Sequence, residues 1–243
     1  MRHLATWLVI GSVALSSACA DPALEQRLAE LETKVEALES APAAAAPGEA
    51  AEGPSAQDEE AAATLLREAN DLVQAMDYTG AKAKLTELNT NYGQTRAARS
   101  SRRLVSELEV VGNAAGEIEV EKWFQGNTSM SDGKATLVVF WELWCPHCRR
   151  EMPEIEETWA QYRDDGLNMV AVTKITRSAT EESVAEFIEE HDISYPVAKE
   201  TGSMSTRFGV RGIPAAAVVK DGEIVWRGHP ARLTDEMYRS WLN

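Results

Sequence analysis

Phe140-Trp141-Glu142-Leu143-Trp144-Cys145-Pro146-His147-Cys148-Arg149-Arg150-Glu151-Met152-Pro153 is the stretch on which the fold turns. An apolar, β-prone run from Thr136 to Trp141 enters it and amphipathic helical sequence leaves it, so the first cysteine falls at a helix N-terminus. Unpaired backbone N–H groups and the positive end of the helix dipole favour an anion there. Cys145 is therefore the candidate attacking thiolate, and Pro146, at the first helical position, gives up an N–H that has no partner in any case. Cys148 follows about one turn later and can reach back to close a ring. The same residues also suit an inert structural disulfide or half of a zinc site. Zinc wants two further ligands at helical or knuckle spacing, and His3, His191 and His229 are scattered singly, so no metal and no cofactor is expected.

The chain has 243 residues, room for one sizeable domain with accessories, and its 44% hydrophobic content is ordinary for a soluble globular protein. Of its 3 cysteines, Cys19 lies in a targeting segment, leaving Cys145 and Cys148 as a pair too small for a multi-bridge framework. The net charge of −15 is uneven: residues 21 to 63 carry 11 acids against 2 bases, 64 to 111 carry 6 against 7, and 112 to 243 carry 22 against 14. That balance argues against a nucleic-acid partner.

Arg2 and His3 precede an apolar stretch, Leu4 to Leu15, and small residues Ser16 to Ala20 follow, so residues 1–20 read as a signal peptide. Ala18-Cys19-Ala20 fits ordinary cleavage, while Leu15-Ser16-Ser17-Ala18-Cys19 resembles a lipoprotein signal in which Cys19 would be acylated as a lipid anchor. Either way the expectation is an exported chain in the periplasm or cell envelope. A dithiol in that oxidising compartment needs a membrane redox partner to recycle it.

Beyond the leader, Leu24, Leu28, Leu31, Val35 and Leu38 alternate spacings of four and three, a heptad seam that predicts a short coiled coil over 21–40 and a homo-oligomer built on it. A single solvated amphipathic helix is the alternative. Residues 41–57, rich in Ala, Pro, Gly and Glu, read as a spacer. Helical periodicity returns over 58–111. Leu65, Leu66, Ala69, Leu72, Val73 and Met76 fall on one helix, Ala81, Leu85 and Leu88 on a second, and Ala97, Leu104, Val105 and Leu108 on a third. Tyr78-Thr79-Gly80 is expected to separate the first two and Asn91-Tyr92-Gly93 to turn into the third. The first pair resembles one tetratricopeptide unit, which cannot bury its own face and so needs a neighbour. Arg96, Arg99 and Arg103 form a basic stripe, either a solvated face or a docking surface for an acidic partner.

The run quoted at the outset resembles the active site of the thioredoxin superfamily, and its Phe-Trp-x-x-Trp-Cys-x-x-Cys-x-x-Glu-x-Pro frame is similar to the membrane-tethered TlpA/ResA branch. The inner pair Pro146-His147 resembles that of DsbA-type oxidases, so frame and inner pair point to opposite redox directions. The resemblance implies an α/β, thioredoxin-like domain over 116–243, preceded by the coiled coil and the tetratricopeptide-like hairpin. Its expected elements are a central strand Leu137–Trp141, a helix Cys145–Arg163, a parallel strand Leu167–Thr173, a helix Thr180–His191, an edge segment Tyr195–Val197, a short helix Ser203–Phe208, a hairpin turned by Asp221-Gly222 and a last helix Leu233–Leu242.

It implies further that Pro214 is a cis proline beside the dithiol, with Ile213 pairing with an extended substrate and Trp144 contacting it. His147 is expected to stabilise the Cys145 thiolate, its alternative being a neutral surface histidine. Where the superfamily places a buried acid that deprotonates the resolving thiol this chain has Val139, so Glu142, or Glu151 one turn past Cys148, becomes the candidate proton acceptor. The implied activity is exchange of disulfides with protein thiols or disulfides of the envelope, reduction favoured over oxidation. A non-enzymatic scaffold using the coiled coil and hairpin is the competing class; a peroxidase is disfavoured because Glu142 replaces the expected threonine.

Overall fold

The computed structural model describes residues 22–39 and 53–243. They belong to two compact units, one ending at Glu52 and the other starting at Gly53. The expected leader, Cys19 and most of the spacer lie outside the described residues. In the first unit, α1 (Pro22–Glu39) is helical where the heptads predict. Its Leu28, Leu31 and Val35 are 54%, 60% and 52% exposed, an apolar row that none of the described residues covers.

Three helices open the second unit: α2 (Ala56–Gln74), α3 (Tyr78–Tyr92) and α4 (Arg96–Glu109). The spacer ends sooner than 57. Ser55 Oγ accepts from the Asp58 amide at 3.1 Å while the Asp58 carboxylate accepts from the Ser55 amide at 3.1 Å, a reciprocal cap that starts α2 at Ala56. Tyr78-Thr79-Gly80, expected as a break, is instead the first turn of α3. Asp77 caps it by accepting from the Gly80 amide at 2.9 Å, and the chain turns one step earlier, at Met76, with φ 58°. Leu65, Ala69 and Val73 pack with Leu85, Leu88, Leu104 and Leu108, so the third helix supplies the neighbour the hairpin needs.

The rest is a six-stranded sheet: β1 (Lys122–Gln125), β2 (Ala135–Trp141), β3 (Leu167–Thr173), β4 (Val197–Lys199), β5 (Ala215–Lys220) and β6 (Glu223–Gly228), in the order β1-β4-β3-β2-β5-β6. β2, β3 and β4 run parallel, and β1, β5 and β6 add antiparallel pairings. Three helices join the strands, α5 (Pro146–Tyr162), α6 (Glu181–Glu190) and α7 (Ser203–Arg207), and a fourth, α8 (Asp235–Leu242), follows β6. Period-two alternation along β2 sends Leu137, Val139 and Trp141 into one core with α5, α6 and α8, and Val138 and Phe140 into another with α7. Asp221 and Gly222 both have positive φ, 53° and 81°, the backbone a two-residue hairpin requires.

Two sheet edges differ from expectation. The segment Tyr195–Val197 does not form an edge: β4 starts at Val197 and is covered by β1, a four-residue, half-exposed strand with too little periodicity to be read from sequence. At the other end the chain 112–115 lies along β6. Gly112 donates to Ile224 O at 2.9 Å, Ile224 to Asn113 O at 2.9 Å and Ala115 to Gly222 O at 2.8 Å, which blunts that edge.

α4 packs on β6 beside this segment. Glu107, 3% exposed, pairs with Arg103 at 2.9 Å and with Arg232 beyond β6. The turn at Met76 also reaches the sheet domain, Ser240 Oγ of α8 lying 3.7 Å from the Met76 sulfur. No helix among the described residues is long and apolar enough to cross a membrane.

Candidate active site

Parallel pairing of β2 and β3 brings their C-terminal ends together, and the site is built there. Cys145 is the N-cap of α5: its backbone is extended (φ −84°, ψ 112°), its amide donates to Glu142 O at 3.0 Å, and its Sγ accepts from the Cys148 amide at 3.4 Å. A negative sulfur in this position receives a backbone N–H and the dipole end of a helix running from Pro146 to Tyr162. Cys145 is 4% exposed and Cys148 fully buried, and both are free thiols. Burial pushes the Cys148 thiol far above its ordinary value and contact with Cys145 adds to this, while hydrogen bonding from the Glu142 backbone works against it. The two sulfurs are thus unequal, one poised at a helix end and one holding its proton in the core.

Opposite them stands the 209–214 loop. The Ile213–Pro214 peptide is cis, as the resemblance implies, and Ile213 O lies 4.0 Å from Cys145 Sγ. Trp144 is half-buried beside it. Its indole Nε1 donates to Glu142 Oε2 at 2.6 Å and to Thr176 Oγ1 at 3.0 Å, and the Arg177 guanidinium stands 3.4 Å from its ring centroid. The Thr176 hydroxyl also donates to Glu142 Oε2. Sequence reasoning missed Thr176 and Arg177, more than thirty residues away; only the adjacency of the two parallel strands could have found them.

Glu142 therefore spends one carboxylate oxygen on Trp144 and Thr176, which ties the loop before Cys145 to the loop after β3. His147 is exposed, and its Nδ1 accepts from Arg150 Nη2 at 2.6 Å. A guanidinium only donates, and the contact holds the ring to the next turn of α5. Val139, in place of a buried acid, is fully buried among apolar neighbours. Among the described residues no cluster of three or more His, Cys, Asp or Glu is arranged to hold a metal.

Fold and site together define a thioredoxin-like dithiol domain. Residues 111–227 match the model of the AhpC/TSA family, so this part of the chain is similar to that family. The chain is 28% identical over 113 residues to thiol-disulfide oxidoreductase ResA of Halalkalibacterium halodurans (46% of this chain, 62% of that one). It is 32% identical over 122 residues to ResA of Oceanobacillus iheyensis (47% and 62%). It thus spans under two thirds of these curated relatives. Among solved structures, StoA of Bacillus subtilis superposes with a TM-score of 0.45 at 21% identity, covering 53% of this chain and 98% of that one.

Proposed function

We propose that the chain is a thiol-disulfide oxidoreductase of the cell envelope, working through Cys145 and Cys148 on protein substrates, with reduction the favoured direction. The inequality of the two sulfurs carries this reading: Cys145 at the start of α5 against Cys148 in the core. In the reductive direction the Cys145 thiolate attacks one sulfur of a substrate disulfide. That S–S bond breaks, its other sulfur leaves as a thiolate and takes a proton, and Cys145 is left in a mixed disulfide. Cys148 then loses its proton and attacks Cys145 Sγ, releasing the second substrate thiolate. The substrate has gained two electrons and the protein is a disulfide, to be recycled by a membrane redox partner.

In this scheme Ile213 offers its carbonyl to an extended substrate, Pro214 and Trp144 flank the sulfurs, Pro146 starts α5, and Glu142 and His147 act on protons and charge at the dithiol. The names of the ResA relatives support the thiol-disulfide exchange activity, and the frame around the cysteines supports the direction. Residues 1–20 as a leader, lipidated Cys19 as an anchor and self-association through α1 complete the proposal, the exposed Leu28, Leu31 and Val35 supporting the last. The helical pair α2–α3 is read as tetratricopeptide-like.

A glutathione redox titration of the purified protein tests the direction: a potential below about −200 mV suits a reductant, and one near about −120 mV an oxidant. Cys148→Ser should accumulate mixed disulfides after acid quench and Cys145→Ser should not. Equal trapping by both variants would overturn the assignment of Cys145 as attacker.

A further inference from the structure

A cavity of about 470 Å³ is walled by Trp144 and by Ile213, whose carbonyl lies 4.0 Å from Cys145 Sγ, and also takes in Arg211 and Gly212. The same two residues begin a second cavity, of about 450 Å³, between α4 and the 209–212 loop. That one shares Asn89, Val105 and Glu109 with a third, of about 540 Å³, whose wall is largely apolar and includes Leu85 and Leu108. The three cavities thus neighbour one another in a row from beside Trp144 and Ile213, past the 211–212 backbone, to the helical layer.

The middle of this row is basic on a chain of net charge −15. Arg102, Arg103, Arg211 and Arg227 line it against Glu107 and Glu109. Glu107 is already engaged by Arg103 and Arg232. Arg227 is buried with its N–H groups on the carbonyls of Phe208, Ala216 and Gly228, and no carboxylate among the described residues pairs with it directly. Arg102 is exposed and makes no ion pair among the described residues, and Arg211 uses Nε on Ser106 Oγ at 2.6 Å while its terminal nitrogens hold no partner there.

We propose that this groove is a specificity subsite for an acidic segment of the protein substrate, next to its reactive cysteine. The inference deepens the oxidoreductase reading and rests on it. An extended polypeptide paired beside Ile213 advances about 3.3 Å per residue, so it comes level with Arg211 roughly two residues from the reactive cysteine and with Arg102 a few residues later. Carboxylates at those positions meet guanidinium groups with donors to spare. An apolar residue further along falls at the Leu85–Leu108 end.

Single-turnover oxidation of the reduced full chain, followed by tryptophan fluorescence, tests this with two disulfide-bridged peptides of equal length. One carries Glu and the other Lys at the positions two to four residues from the reactive cysteine; bis(2-hydroxyethyl) disulfide serves as an uncharged third substrate. The expected result is a rate constant about tenfold higher for the Glu peptide at low salt, narrowing at high salt. Arg102→Glu and Arg102→Gln should bring the Glu/Lys ratio below about threefold, whereas Arg67→Glu on α2, the same charge change away from these cavities, should preserve it. Because a ratio is read, any general loss in a variant cancels. Equal rates in the unmodified protein, or equal losses of preference from Arg67→Glu and Arg102→Glu, would overturn the subsite and leave the oxidoreductase reading standing. Failure to react with all three disulfides would overturn both.

Discussion

Glu107 is the carboxylate that holds the helical layer to the sheet, and its removal has a calculable cost. It is 3% exposed and faces Arg103, Arg232 and the buried Arg227. Burial lowers Arg227 to about 10, and the neighbouring Glu107 is the group that favours its charged form. Glu107→Ala leaves three guanidinium groups without that carboxylate. The Arg103 side chain is 61% exposed, so its share is about 0.5 kcal/mol at most. Arg232 is 32% exposed and its Nε already lacks a hydrogen-bond partner. Breaking a fully buried pair costs about 3–5 kcal/mol, and the residual water contact of Arg232 reduces this to about 2–3 kcal/mol for the whole substitution.

For a protein of this size that corresponds to a fall in Tm of roughly 4–12 °C. Glu107→Gln keeps the volume and an acceptor and should lose about half as much. Urea unfolding followed by the fluorescence of Trp226 and Trp241 measures both variants, and a double-mutant cycle with Arg232→Met isolates the pair. A Glu107→Ala protein within about 0.5 kcal/mol of the unmodified chain would show that α4 is held by apolar contacts alone.

Because burial keeps the Cys148 thiol protonated, release of glutathione from a Cys145 mixed disulfide should accelerate about tenfold per pH unit between pH 6 and 8.5; a flat profile would mean that proton loss does not limit the resolving step. The same raised value makes the unfolded chain release this proton first, so the reduced protein should lose stability upward from about pH 8.5, a loss absent in Cys148→Ala by alkaline urea titration. A chain beginning at Val111 keeps the hydrogen bonds of Gly112, Asn113 and Ala115 to the β6 edge, and should unfold at higher urea than one beginning at Gly116; coincident curves would show that this pairing adds nothing. Removing α1 should lower the oligomeric state by light scattering, since Leu28, Leu31 and Val35 are exposed among the described residues; an unmodified chain already monomeric at micromolar concentration would end the coiled-coil proposal.

What could be read from sequence follows the strength of local signals. β2 and β3 are apolar runs with clean ends, and α5 announces itself by an N-cap cysteine followed by proline, so strand, turn and helix were legible to within a residue or two. β1 has four residues and a mixed face, and is a strand only because β4 offers an edge. Glu142 was legible as an ionisable group near the dithiol, but its commitment to Trp144 and Thr176 depends on a loop that folding alone brings near. Ser106 and Glu107 are the clearest case. Polar residues on a helix predict a solvent face, yet both are buried because Arg211 and Arg232 of the sheet domain come to meet them.

That junction alters how the site should be understood. The loop carrying Ile213 would be free on its outer side in an isolated sheet domain. Here Arg211, two residues before Ile213, is tied to Ser106 of α4 at 2.6 Å, and Gly209, with φ 59°, lies so close to Val110 that an added Cβ would sit 3.0 Å from its Cγ1. From beneath, Arg227 donates to Phe208 O at 3.0 Å. The loop is thus gripped by the helical layer on one side and by a buried guanidinium on the other, and at its far end it presents Ile213 O 4.0 Å from Cys145 Sγ. A shift of α4 against β6 would have to break or drag the Arg211–Ser106 contact, two residues from the carbonyl beside the reactive sulfur. A partner seated along the helices would therefore act on the same loop that the dithiol uses, because both sides of that loop belong to one packed unit.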